Sequence, residues 1–320
     1  MTQPPHEHII PISIPTPFII GPVNAFLIKS DPLILVDTGP RTDDAYDALA
    51  TALRREGLEI ADIEVILITH GHIDHIGLLG RLVEESGAES YALDLVARQS
   101  QDYEDTERRS REFMLKTFRQ FGVPQPIIDA AEAAREGFRH LGSPARIDHG
   151  LQDGERVLGF EVIHVPGHSA SDTIFFQPEL RFAFTGDHVL KGVNPTPLMR
   201  RDADTDQRAK SLLQYERSLA RTKDLDIAVC YPGHGDPIHD HVSVIERIQQ
   251  RHEKRTQKLL DLLRARAMTP FEASQALFPE LAPEHAYLGL STAIGHLDIL
   301  EERGKARTTC TEGVWRYHAI

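Results

Sequence analysis

Four short apolar runs in this chain each end on residues that bind metals, and that arrangement limits the folds open to it. The run Ile63 to Ile68 is almost continuously apolar, as suits a buried strand, and leads into Thr69-His70-Gly71-His72-Ile73-Asp74-His75, four potential ligands within six residues. Alternation puts His70 and His72 on one side of an extended segment, where two imidazoles can grip one ion. Turning into a helix at Asp74 aims Asp74 and His75 elsewhere, so one loop can serve two metals. Val162 to Val165 leads to Pro166-Gly167-His168, Phe182 to Thr185 to Gly186-Asp187-His188, and Ile227 to Tyr231 to Pro232-Gly233-His234. In each, glycine lets the backbone turn sharply, so that the ligand stands at the rim of a sheet within reach of a substrate. One such triplet is weak, since Gly-His after a strand is more often a turn; three beside the histidine-rich loop are not.

The intervening sequence alternates strand and helix patterns. Ile9 to Ile14, Val23 to Ile28 and Leu33 to Val36 read as strands, the last ending in Asp37-Thr38-Gly39-Pro40. Asp43 to Glu56 has helical spacing, Ile76 to Ser86 reads as a second helix and Ser90 to Val96 as a strand. Residues 97 to 143 lack strand signals and are read as a helical insertion. Strand patterns resume at Ala145 to Pro166, where Asp153-Gly154 reads as a hairpin turn, and a helix is expected over Asp206 to Arg221. The catalytic-type domain is thus residues 1–240, followed by a linking helix within 241–268. In 269–320, helices at Phe271 to Leu277 and Tyr287 to Arg303 precede two short strands around Glu312-Gly313, which suggests a winged-helix-like unit.

With 320 residues, 41% of them hydrophobic, the chain can fill a sizeable core. Cys230 and Cys310 are the only cysteines, too few for a disulfide framework or a four-cysteine zinc site. The start, Met1 to Ile10, lacks the pattern of a secretory signal, and no apolar stretch approaches the ~18 residues that span a bilayer, so a cytoplasmic protein is expected.

Taken together, the His-x-His-x-Asp-His motif at 70 to 75, His168, Asp187, His234 and Val36-Asp37-Thr38-Gly39 resemble the metallo-β-lactamase superfamily over roughly residues 9 to 240. The resemblance implies an α+β fold, a four-layered αββα sandwich with its site at one edge between two sheets. It implies that His70, His72 and His168 bind one metal, Asp74, His75 and His234 a second, and Asp187 both, with Asp37 behind them holding the ligand loop. Two divalent ions would then generate hydroxide from a shared water at neutral pH, with Asp74 orienting it and moving its proton; no serine or cysteine nucleophile is required. Zn2+ suits imidazole and carboxylate ligands, and iron or manganese fits the same ligand types.

Members that share such a site cleave different bonds, so the substrate must be read elsewhere. The segments 15–18, 21–28 and 192–195, with the long helix and tail, look like the branch of hydroxyacylglutathione-hydrolase-like proteins and winged-helix endoribonucleases. The net charge of -13 and a tail holding seven acidic against four basic residues disfavour nucleic acid as a partner. Val244 to Arg266 instead carries seven basic and three acidic residues, which could attract phosphates but more often marks a solvated helix face. Phe113, Met114, Phe118 and Phe121 in the insertion are expected beside the site mouth, where they could cover an acyl chain. The expected function is hydrolysis of a small ester or thioester of acyl-CoA, acyl-glutathione or lactone type. A metallo-endoribonuclease acting on single-stranded RNA is the alternative, and a metal-dependent oxygenase or binding protein is third. The apolar helix Leu288 to Leu300 makes a homodimer reasonable.

Overall fold

The computed structural model describes residues 8–193, 195–202, 205 and 207–320; Asn194, in the segment 192–195, and Asp206, the expected start of a helix, lie outside them. The first sheet runs β1 (Ile9–Ile14), β2 (Val23–Ile28), β3 (Ile34–Val36), β4 (Val65–Ile68), β5 (Glu89–Leu93) and β6 (His149–Leu151) in that spatial order, antiparallel up to β3 and parallel from β3 onward. The second sheet is β7 (Arg156–Val157), β8 (Phe160–His164), β9 (Thr173–Gln177), β10 (Phe182–Gly186) and β11 (Val229–Pro232), antiparallel except for the pair β10 and β11.

Period-two alternation explains the layers. Ile34, Val36, Val65 and Leu67 face Val162, Phe175, Phe182 and Phe184 of the second sheet, while Leu35, Ile66 and Ile68 turn outward onto Leu49 and Leu53 of α1 (Asp43–Arg55) and Leu79 and Leu82 of α3 (Leu79–Ser86). Ile163, Ile174, Ala183 and Cys230 pack outward on Leu212, Tyr215 and Leu219 of α7 (Ser211–Lys223) and on Ile245 and Ile248 of α8 (His241–Ala265). Strands covered on both faces need apolar residues throughout, hence the continuous runs. The four-layered αββα sandwich is therefore present.

Local boundaries differ in four places. The helix expected at Ile76 to Ser86 is divided into α2 (Ile73–Ile76) and α3. The strand expected to reach Val96 ends at Leu93, and α4 (Asp94–Gln101) begins with an aspartate in its first turn, where the helix dipole favours an acid. Asp153-Gly154 does make a turn, but it passes the chain from β6 in one sheet to β7 in the other. The tight hairpin joins β7 to β8 through Leu158 and Gly159, with φ 51° and 83°. The helix expected from Asp206 runs Ser211–Lys223.

The insertion consists of α4, α5 (Tyr103–Gln120) and α6 (Gln125–Phe138); the tail of α9 (Pro270–Leu277), α10 (Ala286–Glu302), β12 (Ala306–Thr311) and β13 (Val314–Ala319). Thr269 and Glu272 form a reciprocal capping box at the start of α9. Insertion and tail share one core: Met114, Phe118 and Phe121 are buried against Leu259 of α8, Leu297 of α10 and Tyr317 of β13. These aromatics thus cover the tail and do not line the site mouth, because the apolar face of the tail must be buried and α5 is what lies against it. Among the described residues, no helix is long and apolar enough to cross a membrane.

Candidate metal centre

Parallel pairing of β10 with β11 puts Asp187 and His234 side by side, and the Gly233 N–H donates to Gly186 O at 2.8 Å. Thr173 N donates to Thr69 O at 3.0 Å and Asn24 N to Gly233 O at 2.7 Å, so the two sheets are stitched together at this one edge. All seven candidate ligands meet there. Ligand atoms of His70, His72 and His168 lie within 4.8 Å of one another, as do those of His70, His75 and Asp187 and those of Asp74, His75 and His234. Glycine is needed at all three Gly turns, Gly167 included, where a Cβ would stand 2.6 Å from Tyr215 Cα. A Cβ on Gly233 would stand 2.5 Å from Asp187 Oδ1 and 2.6 Å from His75 Cε1, and one on Gly186, at φ 47°, would stand 2.7 Å from Thr69 Oγ1.

What each histidine can do follows from the partner of its other nitrogen. His168 Nδ1 donates to Thr196 O at 3.0 Å and His234 Nδ1 to Pro22 O at 2.8 Å. His75 Nδ1 donates to Asp37 Oδ2 at 2.8 Å. The Thr69 hydroxyl donates to Asp37 Oδ2 at 2.8 Å and accepts from His70 Nδ1 at 3.1 Å. These bonds place the Nδ1 protons and aim four Nε2 atoms inward, where each can offer its lone pair to a metal once it carries no proton. His70 Nε2 and His168 Nε2 lie 3.1 and 2.9 Å from His72 Nδ1, three nitrogens with at most one proton among them. Three nitrogens on one tetrahedral zinc sit roughly 3.3 Å apart, so this spacing is what a cation requires.

Beside that trio, Asp187 presents Oδ1 to His75 Nε2 at 3.5 Å and Oδ2 to His168 and His234 Nε2 at 3.5 and 3.6 Å, while Asp74 Oδ2 is 3.4 Å from His234 Nε2. Among the described residues, His75 Nε2, His234 Nε2 and Asp187 Oδ1 are buried without a hydrogen-bond partner. Buried polar atoms are seldom left so, and divalent ions held by these residues would satisfy all three. The residues fit the two-metal set.

Electrostatics separates the two ends. Burial, then the neighbouring histidines, holds His70 well below the usual imidazole range, and burial with His168 holds His72 at about 3. Burial opposes a charge on His75 too, but Asp37, Asp187 and Asp74 around it outweigh that and hold it well above the usual value. Asp187 is pushed up by burial and pulled down further by His75, His234 and His168, ending well below the usual carboxylate range. His188 is buried outside the cluster: its Nε2 meets Thr222 Oγ1 at 2.8 Å and its ring packs 5.5 Å from that of Tyr215. Sequence reading missed the roles of Thr69, Pro22 and Thr196. Thr69 adjoins the motif and was open to notice, whereas Pro22 and Thr196 act through main-chain carbonyls, which leave no residue-type signal.

Residues 19–234 match the family model of the metallo-beta-lactamase superfamily. The chain is 33% identical over 313 residues, 96% of each chain, to a "Probable metallo-hydrolase YqjP" of Bacillus subtilis (strain 168). It is 29% identical over 164 residues, 51% of this chain and 67% of the other, to the hydroxyacylglutathione hydrolase GloC of Haemophilus influenzae. Among solved structures, the metallo-beta-lactamase family protein TTHA1429 from Thermus thermophilus superposes with a TM-score of 0.83 at 28% identity, covering 98% of this chain and 99% of that one.

Proposed function

The chain belongs to the metallo-beta-lactamase superfamily and is a metal-dependent hydrolase, and on that premise we propose that it hydrolyses a small ester or thioester with two divalent ions, most simply Zn2+. His70, His72 and His168 would hold one ion, Asp74, His75 and His234 the other, and Asp187 both. Ions so held lower the pKa of a water between them and polarise the oxygen of the group attacked. The chain's own contribution is preorganisation and proton handling. Asp37 and the carbonyls of Pro22 and Thr196 lock the imidazole tautomers. Asp74 is the reachable carboxylate, its side chain 13% exposed against 5% for Asp187. With Oδ2 facing His234, its Oδ1 takes the proton of the attacking water and returns it to the departing thiol or alcohol.

The observation that carries the substrate class is an apolar wall beside the ligand loop. Phe18 and Phe138 meet with ring centroids 5.2 Å apart, with Ile19 beside them 78% exposed. Phe18 precedes Pro22, the partner of His234, and Phe138 ends α6 just before the turn whose Gly142 abuts Ile73. An acyl group fits that wall better than a polyanion does. The likeness to GloC, named a hydroxyacylglutathione hydrolase, supports the same class.

One observation favours a second reading, cleavage of single-stranded RNA. Arg247, Arg251, Lys254 and Lys258 are exposed at spacings of four, three and four along one face of α8. Zn2+-loaded protein assayed on acyl-CoA, acyl-glutathione, lactones and single-stranded RNA separates the two. Thiol release that disappears in His72→Ala is expected. RNA cleavage lost in His72→Ala, with no thioester or lactone turnover, overturns the first reading in favour of the second.

A further inference from the structure

Among its described residues, the excursion from Asp187 to α7 adds no further candidate ligand to the cluster, yet it orients one. Thr196 O accepts from His168 Nδ1, and two residues on, Leu198 N donates to His168 O at 3.1 Å. Ring and backbone of one candidate ligand therefore lean on a single segment, 195–200, which belongs to neither sheet. Its anchor is α10, in the tail. Met199 N donates to Ser291 Oγ at 2.9 Å, Met199 O accepts from the Tyr287 hydroxyl, and the Ser291 hydroxyl hydrogen goes on to Tyr287 O at 2.7 Å.

Residues 287 and 291 stand one turn apart on the same helix face, so they grip both polar groups of a single residue like a fork. The Met199 side chain is 1% exposed and is buried in the core that contains Leu290 and Ile294 of the same helix. Seven residues past Ser291, the fully buried Asp298 takes both terminal nitrogens of Arg208 at 2.7 and 2.5 Å. Ser211 Oγ closes the excursion by donating to Leu198 O at 2.7 Å. Leu198 is thereby tied through both main-chain polar groups to His168 and Ser211, and Met199 through both of its own to α10.

We propose that Ser291 and Tyr287 are positioning residues for the three-histidine subsite: through Met199 and Thr196 the C-terminal helix sets the aim of His168. This rests on the reading of His168 as a metal ligand. Because the subsite and the docking of α10 bias the same segment, they are thermodynamically coupled, and the coupling is reciprocal. Whatever loosens the grip of Ser291 and Tyr287 on Met199 weakens metal binding, and metal binding tightens that grip by the same factor.

The test uses the metal-free full chain titrated with Zn2+, with calorimetric affinities and hydrogen exchange over 286–302 as readouts. Ser291→Ala removes the acceptor for Met199 N and should weaken one of the two affinities about tenfold, the lower end of what losing an outer hydrogen-bond partner costs a metal site. Tyr287→Phe should act in the same direction, and Ser291→Thr, which keeps the hydroxyl, should restore the affinity. Zn2+ should slow exchange over 286–302 in the unaltered protein and do so less in Ser291→Ala. Leu297→Ala, in the same buried core but without a bond to 195–200, controls for destabilisation: it should lower Tm and leave both affinities in place. If Ser291→Ala binds two Zn2+ as tightly as the unaltered chain, or Leu297→Ala weakens binding equally, the positioning role is wrong while the ligand reading stands. If the folded, unaltered chain takes up no Zn2+, the ligand reading fails and the positioning role with it.

Discussion

Asp37 sits at φ 57°, in the left-handed region that L-residues seldom adopt, and from there its carboxylate accepts from Thr69 N, Thr69 Oγ1 and His75 Nδ1. Asparagine tolerates that backbone but presents an amide N–H to His75, so Asp37→Asn should reverse the imidazole tautomer and take its Nε2 lone pair out of the site. We expect Zn2+ affinity at the Asp74, His75 and His234 end to fall roughly 10- to 100-fold with little change in Tm, read by calorimetry and thermal unfolding. Gly233→Ala should cost about 1–3 kcal/mol from the forced contact with Asp187 and His75, and the bound-metal count should drop. Metal binding at the Asp74, His75 and His234 end should depend on pH. His75 is held well above the ordinary value, so it must lose a proton to bind metal; uptake at that end should release protons and strengthen as pH rises through its pKa. His72, at about 3, is already neutral above pH 5 and gives up no proton there. An affinity at the His75 end that does not rise with pH would refute the assignment. The ligand types at this scale were legible in the sequence because they cluster in a motif. Their tautomers were not, since carbonyls of Pro22 and Thr196, distant in the chain, fix them.

At the scale of elements, the runs of β4, β8, β10 and β11 were legible because strands covered on both faces leave little choice of residue. Ends were less so. A strand pattern continues through Leu93 to Val96, but Asp94 begins a helix, and periodicity over so few residues cannot separate the two. The β7–β8 turn was hidden for another reason: Leu158 holds φ 51° where such turns prefer asparagine or glycine. Since a left-handed L-residue costs about 1–2 kcal/mol, Leu158→Asn should stabilise the protein by about 0.5–1 kcal/mol, read as a shift of the urea midpoint at constant m. An unchanged or lowered midpoint would mean that the half-exposed Leu158 side chain contributes more packing than its backbone costs.

At the scale of the whole molecule, insertion, α8 and tail share one core, and Ile299 of α10 also joins the core beneath the second sheet. Such a tail should not melt by itself. Trp315, the only tryptophan, lies on β13 and reports the tail by fluorescence, while far-UV circular dichroism reports the whole; the two thermal transitions should coincide. Phe118→Ala, in the insertion, should lower both together by about 3–5 kcal/mol. A separate, earlier fluorescence transition would show that the tail unfolds alone. The sequence by itself determined the buried strands and the metal-binding residues at their ends, because two-sided burial and metal-binding side chains are written into local residue types, and the sandwich followed from the family those residues resemble. Only the tertiary structure decided that Phe118 and Phe121 of the insertion cover the tail instead of the site, and that α10 holds Met199 beside the partner of His168. An apolar face demands burial without naming the surface that provides it, and a main-chain hydrogen bond can be made by almost any residue.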